Sequence, residues 1–291
     1  MKTEELPGIY LSADAGAKKF QKNYLTVIKL EYFSLAGLAV LSELREAHTA
    51  IIPLMSVALV LLFGLLIFRF VSKLDRKWYA CRALAESLKT NSWKFVMRAH
   101  PFENSSSLSL AVRNFSNSII EIQRDNRFLG VELDPSHSDS DQITEKMFEL
   151  RKLSVPERLE HYIKYRVKQQ RCWYAKRAKW NAVRRSFWFW FAIFMYFLVT
   201  LCLFSNQLFG SDLSWAFGFL LLIVTSSFAW IQVKRHGELA ASYTLTAHEI
   251  GSIQTRSQEV IDEDTLSTFV NSAELAFSRE HTQWAARRDF A

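Results

Sequence analysis

Two long stretches without a charged side chain constrain this sequence more than anything else in it. Residues 186–211 and 213–233 contain no Asp, Glu, Lys or Arg, and only Asp212 separates them. Each is long enough to cross a hydrocarbon core, which takes about 20 helical residues at about 1.5 Å apiece. Arg184-Arg185 precede the first and Lys234-Arg235 follow the second, and Ser205-Asn206-Gln207-Leu208-Phe209-Gly210-Ser211 supplies a turn between them. Helices of water-soluble domains average about 10–14 residues, so a soluble core accounts poorly for two such runs in succession. The pattern predicts a helical hairpin in a membrane, with both basic ends on one side.

A second hairpin is expected nearer the N-terminus. Residues 51–68 are free of charge and are closed by Arg69, Lys73, Arg76 and Lys77, whereas the apolar run at 30–44 is interrupted by Glu31. The short connector Glu43-Leu44-Arg45-Glu46-Ala47-His48 reads as the turn that joins them. The expected fold class is therefore an all-α membrane protein with four transmembrane helices, at about 30–47, 51–70, 186–207 and 213–233. Of the 36 Lys and Arg residues, Arg45 is the one that falls in a proposed outer turn. That bias predicts a multi-pass protein of the bacterial inner membrane with both termini in the cytoplasm. It also explains the net charge of +7 without nucleic acid, which is not expected as a partner; the lipid bilayer is.

The polar remainder reads as long helices extending from the spans into a cytoplasmic bundle. Neither Pro nor Gly occurs between residues 65 and 100, so the second span is expected to continue as one helix up to Pro101. A shorter amphipathic helix follows the Ser-rich loop at 104–109, with Val112, Phe115, Ile119 and Ile122 at helical spacing. Residues 134–141 are turn formers and read as a linker between a first domain, 1–133, and a second, 142–291. Ser154-Val155-Pro156-Glu157 is a capping box, and the Pro- and Gly-free run from 157 to 209 predicts one helix of about 80 Å. Leu159, Ile163, Val167, Trp173, Tyr174 and Trp180 form its apolar stripe. A helix break is expected near Gly251, and Leu266, Phe269, Val270, Ala273, Phe277 and Trp284 predict a final seam. Both halves thus follow one plan of basic helix, span, outer turn, span and basic helix. The polar N-terminus is expected to lack a cleaved signal peptide.

Three stretches resemble a known family. Residues 85–102 carry Ser92-Trp93-Lys94-Phe95 and Arg98-Ala99-His100-Pro101-Phe102. Residues 169–181 carry Arg171-Cys172-Trp173-Tyr174-Ala175-Lys176-Arg177, and residues 278–288 carry Glu280-His281-Thr282-Gln283-Trp284. Together they resemble the SLATT family of bacterial two-transmembrane effector domains, found beside nucleotide-signalling and SLOG modules, here with one domain in each half. The resemblance implies a pore-forming or membrane-disrupting effector of antiphage or other conflict systems, triggered by infection-linked nucleotide signals. The multidomain members carry a sensor, and none is expected here: there is no GxGxxG or P-loop, and nine glycines leave little for a phosphate cradle. A separate sensor or nucleotide-signalling protein is the expected partner, together with further copies of the chain in a homo-oligomer.

No catalytic constellation is present. His248-Glu249 and Glu280-His281 do not belong to HExxH, and Cys81, Cys172 and Cys202 are scattered without a CxxC. The chain is expected not to be an enzyme and to hold no cofactor or metal. The candidate residues lie elsewhere. Glu31 reads either as an interfacial partner of Lys29 or as a gating carboxylate at a pore mouth. Thr225, Ser226 and Ser227 read either as the lining of a polar path or as residues bonded back to their own helix. Ser214 with Gly218, and Thr225 with Ala229, are small residues four apart that suit close helix packing. Trp78, Tyr79, Arg82, Trp173, Tyr174, Arg177 and Trp284 form an aromatic and basic set that suits a nucleotide, a partner, or packing between long helices. A non-conducting scaffold or regulator and a small-solute or ion transporter are the competing functions.

Overall fold

The computed structural model describes residues 1–44, 51–103, 107–133, 135–210 and 216–288, with the side chains of 43–44, 128, 131–132, 206 and 279–288 left aside. Ten α-helices are described: α1 (Gly8–Leu44), α2 (Ile51–Ser72), α3 (Leu74–Val96), α4 (Leu108–Asp125), α5 (Glu145–Lys152), α6 (Val155–Tyr162), α7 (Lys168–Phe209), α8 (Phe217–Lys234), α9 (His236–Thr255) and α10 (Glu263–Arg288). There is no strand among the described residues. Four stretches are long and apolar enough to cross a membrane: Gly8–Ser42, Ile51–Val96, Val155–Ser205 and Phe217–Glu259. The all-α, four-span architecture read from the sequence is the one observed. Of the turns expected at 43–48 and 205–211, residues 43–44 and 205–209 are still helical, and residues 45–50 and 211–215 lie outside the described residues.

The framework divides into two compact units, and each draws on both halves of the chain. The first comprises Met1–Gln21, Asp75–Arg177 and Ser242–Ala291; the second comprises Lys22–Leu74 and Ala178–Ala241.

The first unit has a core around the end of α3. Trp93, Phe95, Val96, Met97, Ala99 and Phe102 are all buried, and Phe95 packs against Phe102, Phe115 of α4 and Phe148 of α5. The helix ends at Arg98, whose φ is 54°, with Ala99 N–H bonded to Lys94 O at 2.9 Å and Arg98 N–H to Phe95 O at 3.2 Å. This is a Schellman ending with Arg where Gly is the usual left-handed residue. Arginines then satisfy its free carbonyls. Buried Arg151 donates to Phe95 O and to Phe102 O (2.6 Å), and buried Arg158 donates to Met97 O (2.7 Å). Arg98 and Arg158 also share the carboxylate of Glu263. Burial alone would raise that carboxyl, but the hydrogen bond and charge of Arg158, with those of Arg98, hold it below the usual range. Residues 92–102, one of the stretches that carries the family resemblance, are therefore a packing and capping knot.

Three helical segments meet at Glu274 of α10. Its Oε1 accepts from Tyr162 Oη and Arg166 Nε, both at 2.9 Å, and its Oε2 accepts from Arg166 Nη2 at 2.6 Å and Thr90 Oγ1 at 2.9 Å. Glu274 and Arg166 are 0% and 1% exposed.

Several local expectations are met. The Ser154 capping box forms, with Ser154 N–H at 3.0 Å and Oγ at 2.6 Å from Glu157 Oε2. Leu266, Phe269, Val270, Ala273 and Phe277 are buried as a seam; the side chain of Trp284 lies outside the described residues. The segment read as a linker packs on the start of α1: Gly8 N–H bonds Asp141 O at 3.1 Å, and a Cβ on Gly8 would lie 2.7 Å from His137 O.

Four expectations are corrected. The helix from the second span does not run unbroken to Pro101, because Lys73 adopts φ 46° between α2 and α3. The break expected near Gly251 is absent, since α9 runs through it. A Cβ there would lie 3.2 Å from Arg171 Cζ, so the glycine serves close packing. The break falls instead at Arg235, φ 48°, between α8 and α9. The long helix from 157 contains a π turn at Ile163–Val167, closed by Lys168 N–H to Ile163 O. The buried face follows Arg158, Tyr162, Arg166 and Val167, while Leu159 and Ile163 of the expected stripe are half-exposed.

Glu274→Gln should destabilise the protein by about 3–5 kcal/mol, because it leaves the Arg166 cation buried without its counter-charge. Thermal unfolding of the detergent-purified protein checks this: the variant should melt markedly lower, with Glu274→Gln and Arg166→Met together recovering part of the loss.

Candidate functional site

Two places gather the residues singled out from the sequence. The first is in the second unit, at the base of the first hairpin. Glu31 of α1 is 5% exposed, and its Oε2 accepts from Arg69 Nη1 of α2 at 2.8 Å. Its other oxygen, Oε1, is buried without a hydrogen bond. The observed partner is thus Arg69, which the sequence reading passed over in favour of Lys29. Hairpin arithmetic held the signal: Glu31 stands at the start of one span and Arg69 at the end of the next, so an antiparallel pair sets them at one depth. A charge at that depth is tolerated when it is paired or reaches polar surroundings. One spare carboxylate oxygen and an Arg69 side chain that is 42% exposed leave the pair able to exchange partners.

Aromatic rings lie near this pair within the same unit. Tyr32 meets Trp230 of α8 edge-on at 6.4 Å, Trp230 contacts Trp188 of α7 at 6.3 Å, and Lys234 lies 4.9 Å over the Trp230 ring. Phe187, Phe189 and Trp190 point outward, more than half exposed, as an interfacial belt requires. Further along α7, Asn181 Oδ1 and His236 Nδ1 are 2.7 Å apart and buried, with His236 against the ring of Trp180 at 5.4 Å. His236 follows the left-handed Arg235 directly, and its burial gave no periodic signal in the sequence.

The hydroxyls of the spans turn back on their own helices. Thr225 Oγ1 donates to Leu221 O (3.1 Å) and Leu222 O (3.0 Å), and Ser227 Oγ donates to Ile223 O (2.7 Å). Thr200 and Ser56 do the same to Tyr196 O and Ile52 O. Ser226 and Ala229 are half-buried and Gly218 is exposed; Ser214 lies outside the described residues.

The second place is in the first unit. Trp78 and Tyr79 stack at 4.7 Å. Arg82 pairs with Glu86 at 2.8 Å and approaches Asp14 of α1 at 3.8 Å, with the Tyr174 phenol within electrostatic reach. Trp173 and Tyr174 of α7 both meet Tyr243 of α9, at 5.5 and 5.6 Å, and Arg177 lies 5.7 Å over the Trp173 ring. The structure engages most of this set in helix packing: Tyr174 is 2% exposed and the Arg82 charge faces two carboxylates. Trp173, 37% exposed, is the most open ring of the set among the described residues. Among the described residues no three His, Cys, Asp or Glu side chains cluster as metal ligands would.

Two family models match the chain. One, described as SMODS and SLOG-associating 2TM effector domain 3 (SLATT_3), covers residues 7–159. The other, SMODS and SLOG-associating 2TM effector domain 1 (SLATT_1), covers residues 162–284. No curated protein and no solved structure matches it.

Exchanging the charges of the Glu31–Arg69 pair tests its geometry. Glu31→Arg alone and Arg69→Glu alone should each lower the melting temperature by several degrees, and the double exchange should restore most of it, a coupling of about 1 kcal/mol. Additive losses in the double variant would show that the two side chains do not meet.

Proposed function

Because the chain belongs to the SLATT family, as two two-transmembrane effector domains in tandem, we propose that it is a conflict-system effector that permeabilises the bacterial inner membrane as an oligomer. Both termini face the cytoplasm in this reading, where a separate sensor or nucleotide-signalling protein supplies the trigger. The observation that carries it is the Glu31–Arg69 pair at the base of a hairpin whose second helix, α2, has no buried residue. A span apolar around its whole circumference is solvated by lipid or by another copy, and a single protomer with so few polar groups encloses no aqueous path. In a multimer, Glu31 and Arg69 repeat around the assembly and form rings of charge at one depth, the usual device of a conducting mouth. At rest each carboxylate is neutralised by its own Arg69. Activation moves the spans so that this pairing is lost, and the bias comes from a signal that binds one arrangement better than the other.

The test is membrane potential together with dye uptake, in bacteria carrying this gene and its native neighbours during phage challenge. Depolarisation before lysis is expected, and it should be absent from the same cassette lacking only this chain. Glu31→Gln should change the flux by at least several-fold without loss of protein from the membrane. Protection with an undisturbed potential would replace the effector reading with that of a scaffold, and saturable flux of one solute without growth arrest would replace it with a transporter.

A further inference from the structure

The π turn has an outer side as well as an inner one. Its inner side carries Arg166 to Glu274. On its outer side Val155, Leu159, Ile163, Val260 and Ile261 line an open groove of about 450 Å3, with Lys164 and Lys168 among the lining residues. Ile261 is 82% exposed at the edge of this groove.

The charges around this groove are unevenly satisfied. Glu157 is held by Ser154, Asp262 accepts from Thr265 N–H (2.9 Å) and Oγ1 (2.6 Å), and Glu263 is taken by Arg98 and Arg158. Lys164 lies 5.3 Å over the ring of Tyr165, and among the described residues neither it nor Lys168 forms an ion pair. Glu160 is the single carboxylate in the lining. The groove thus combines an apolar floor with two ammonium groups, neither in an ion pair, and one carboxylate.

We infer that this groove docks an acidic amphipathic helix from a separate protein. Helix-in-groove recognition lays apolar residues at i, i+4 and i+7 into such a floor, and carboxylates on the flank of that helix meet Lys164 and Lys168. The lining from Val155 to Lys168 follows about 20 Å of helix, which matches three to four turns of a partner. A bilayer surface is flat on this scale and does not enter a concavity, so a protein segment fits better than a lipid face. The site also stands at a mechanically sensitive position. Ile163 and Lys164 belong to the π turn, so a ligand on its outer face meets the same backbone that holds Arg166 against Glu274. The inference names the attachment point for a partner of the proposed effector, and its binding is measured without any flux, so it stands or falls separately from permeabilisation.

The probe is a fluorescein-labelled 15-residue helical peptide with leucines on one face and glutamates flanking it. It is titrated by fluorescence anisotropy into the full chain in nanodiscs of zwitterionic lipid. Saturable binding is expected, weakened at least tenfold by Lys164→Glu with Lys168→Glu and by Ile261→Asp, each checked for unchanged melting. A peptide with lysines in place of glutamates should bind the double-glutamate variant and not the native chain. Three outcomes overturn the inference. One is equal affinity for native chain and variants. The second is binding that appears only when the nanodiscs contain anionic lipid. The third is the absence of peptide binding together with self-association that Ile261→Asp abolishes, which assigns the groove to a second copy.

Discussion

Glu274 is fully buried, and a carboxylate in that position costs several kcal/mol to desolvate unless every lone pair is met. Arg166 meets it through two nitrogens, and Tyr162 and Thr90 add neutral donors. The donors come from α3, from α6 and from the π turn, so the first unit can bury this charge only when all three are in register against α10. Apolar packing alone would tolerate a slip of one helix by a turn, since Leu, Val and Phe are exchangeable at small cost. The bidentate pair removes that freedom. Thr90 lies in the first sequence half and the other members in the second, and the first unit accordingly takes chain from both. The tandem arrangement is thus joined at a specific polar contact as well as by shared apolar area.

The second unit has a different kind of constraint at its two exits. Lys73 follows α2 and Arg235 follows α8, and both take left-handed φ angles that cost an L-residue about 1–2 kcal/mol. In each case the next residue, Leu74 or His236, is buried. Glycine would relieve the strain, but each position closes an apolar span, where a basic side chain reaches water and anionic headgroups. The side chain requirement and the backbone requirement conflict there, and the side chain has won twice. That the same compromise recurs after the second span of both halves is the clearest structural sign of the repeat.

These two features mark the limit of what the sequence makes legible. The spans, the all-α class, the final seam on α10 and the Ser154 cap rest on local pattern, and local pattern is what residues at fixed spacing carry. Glu31 stood out because a charge interrupts an apolar run. Arg69, its partner, looked like one more basic residue closing a span and became distinct only when the hairpin placed it opposite. The breaks at Lys73 and Arg235 lack the Gly or Pro that usually announces them, and Gly251, which seemed to announce one, is small so that Arg171 can pass. Trp173, Tyr174 and Arg177 suited a binding surface and helix packing alike, because composition does not reveal that Tyr243 faces two of them from α9.

The π turn shows how far one inserted residue reaches. A strict helical period from Leu159 puts Ile163 and Val167 on the core side. The turn at Ile163–Val167 instead buries Arg166 beside Val167 and returns Ile163 to the surface. The inner ion pair with Glu274 and the outer apolar groove thus share this one turn. A π turn is less stable than an α turn of equal length and persists where tertiary contacts reward it. Here the reward is the Arg166–Glu274 pair. Any ligand on the outer face acts on the same balance, because shifting the hydrogen bonds of this turn by one residue moves both faces at once.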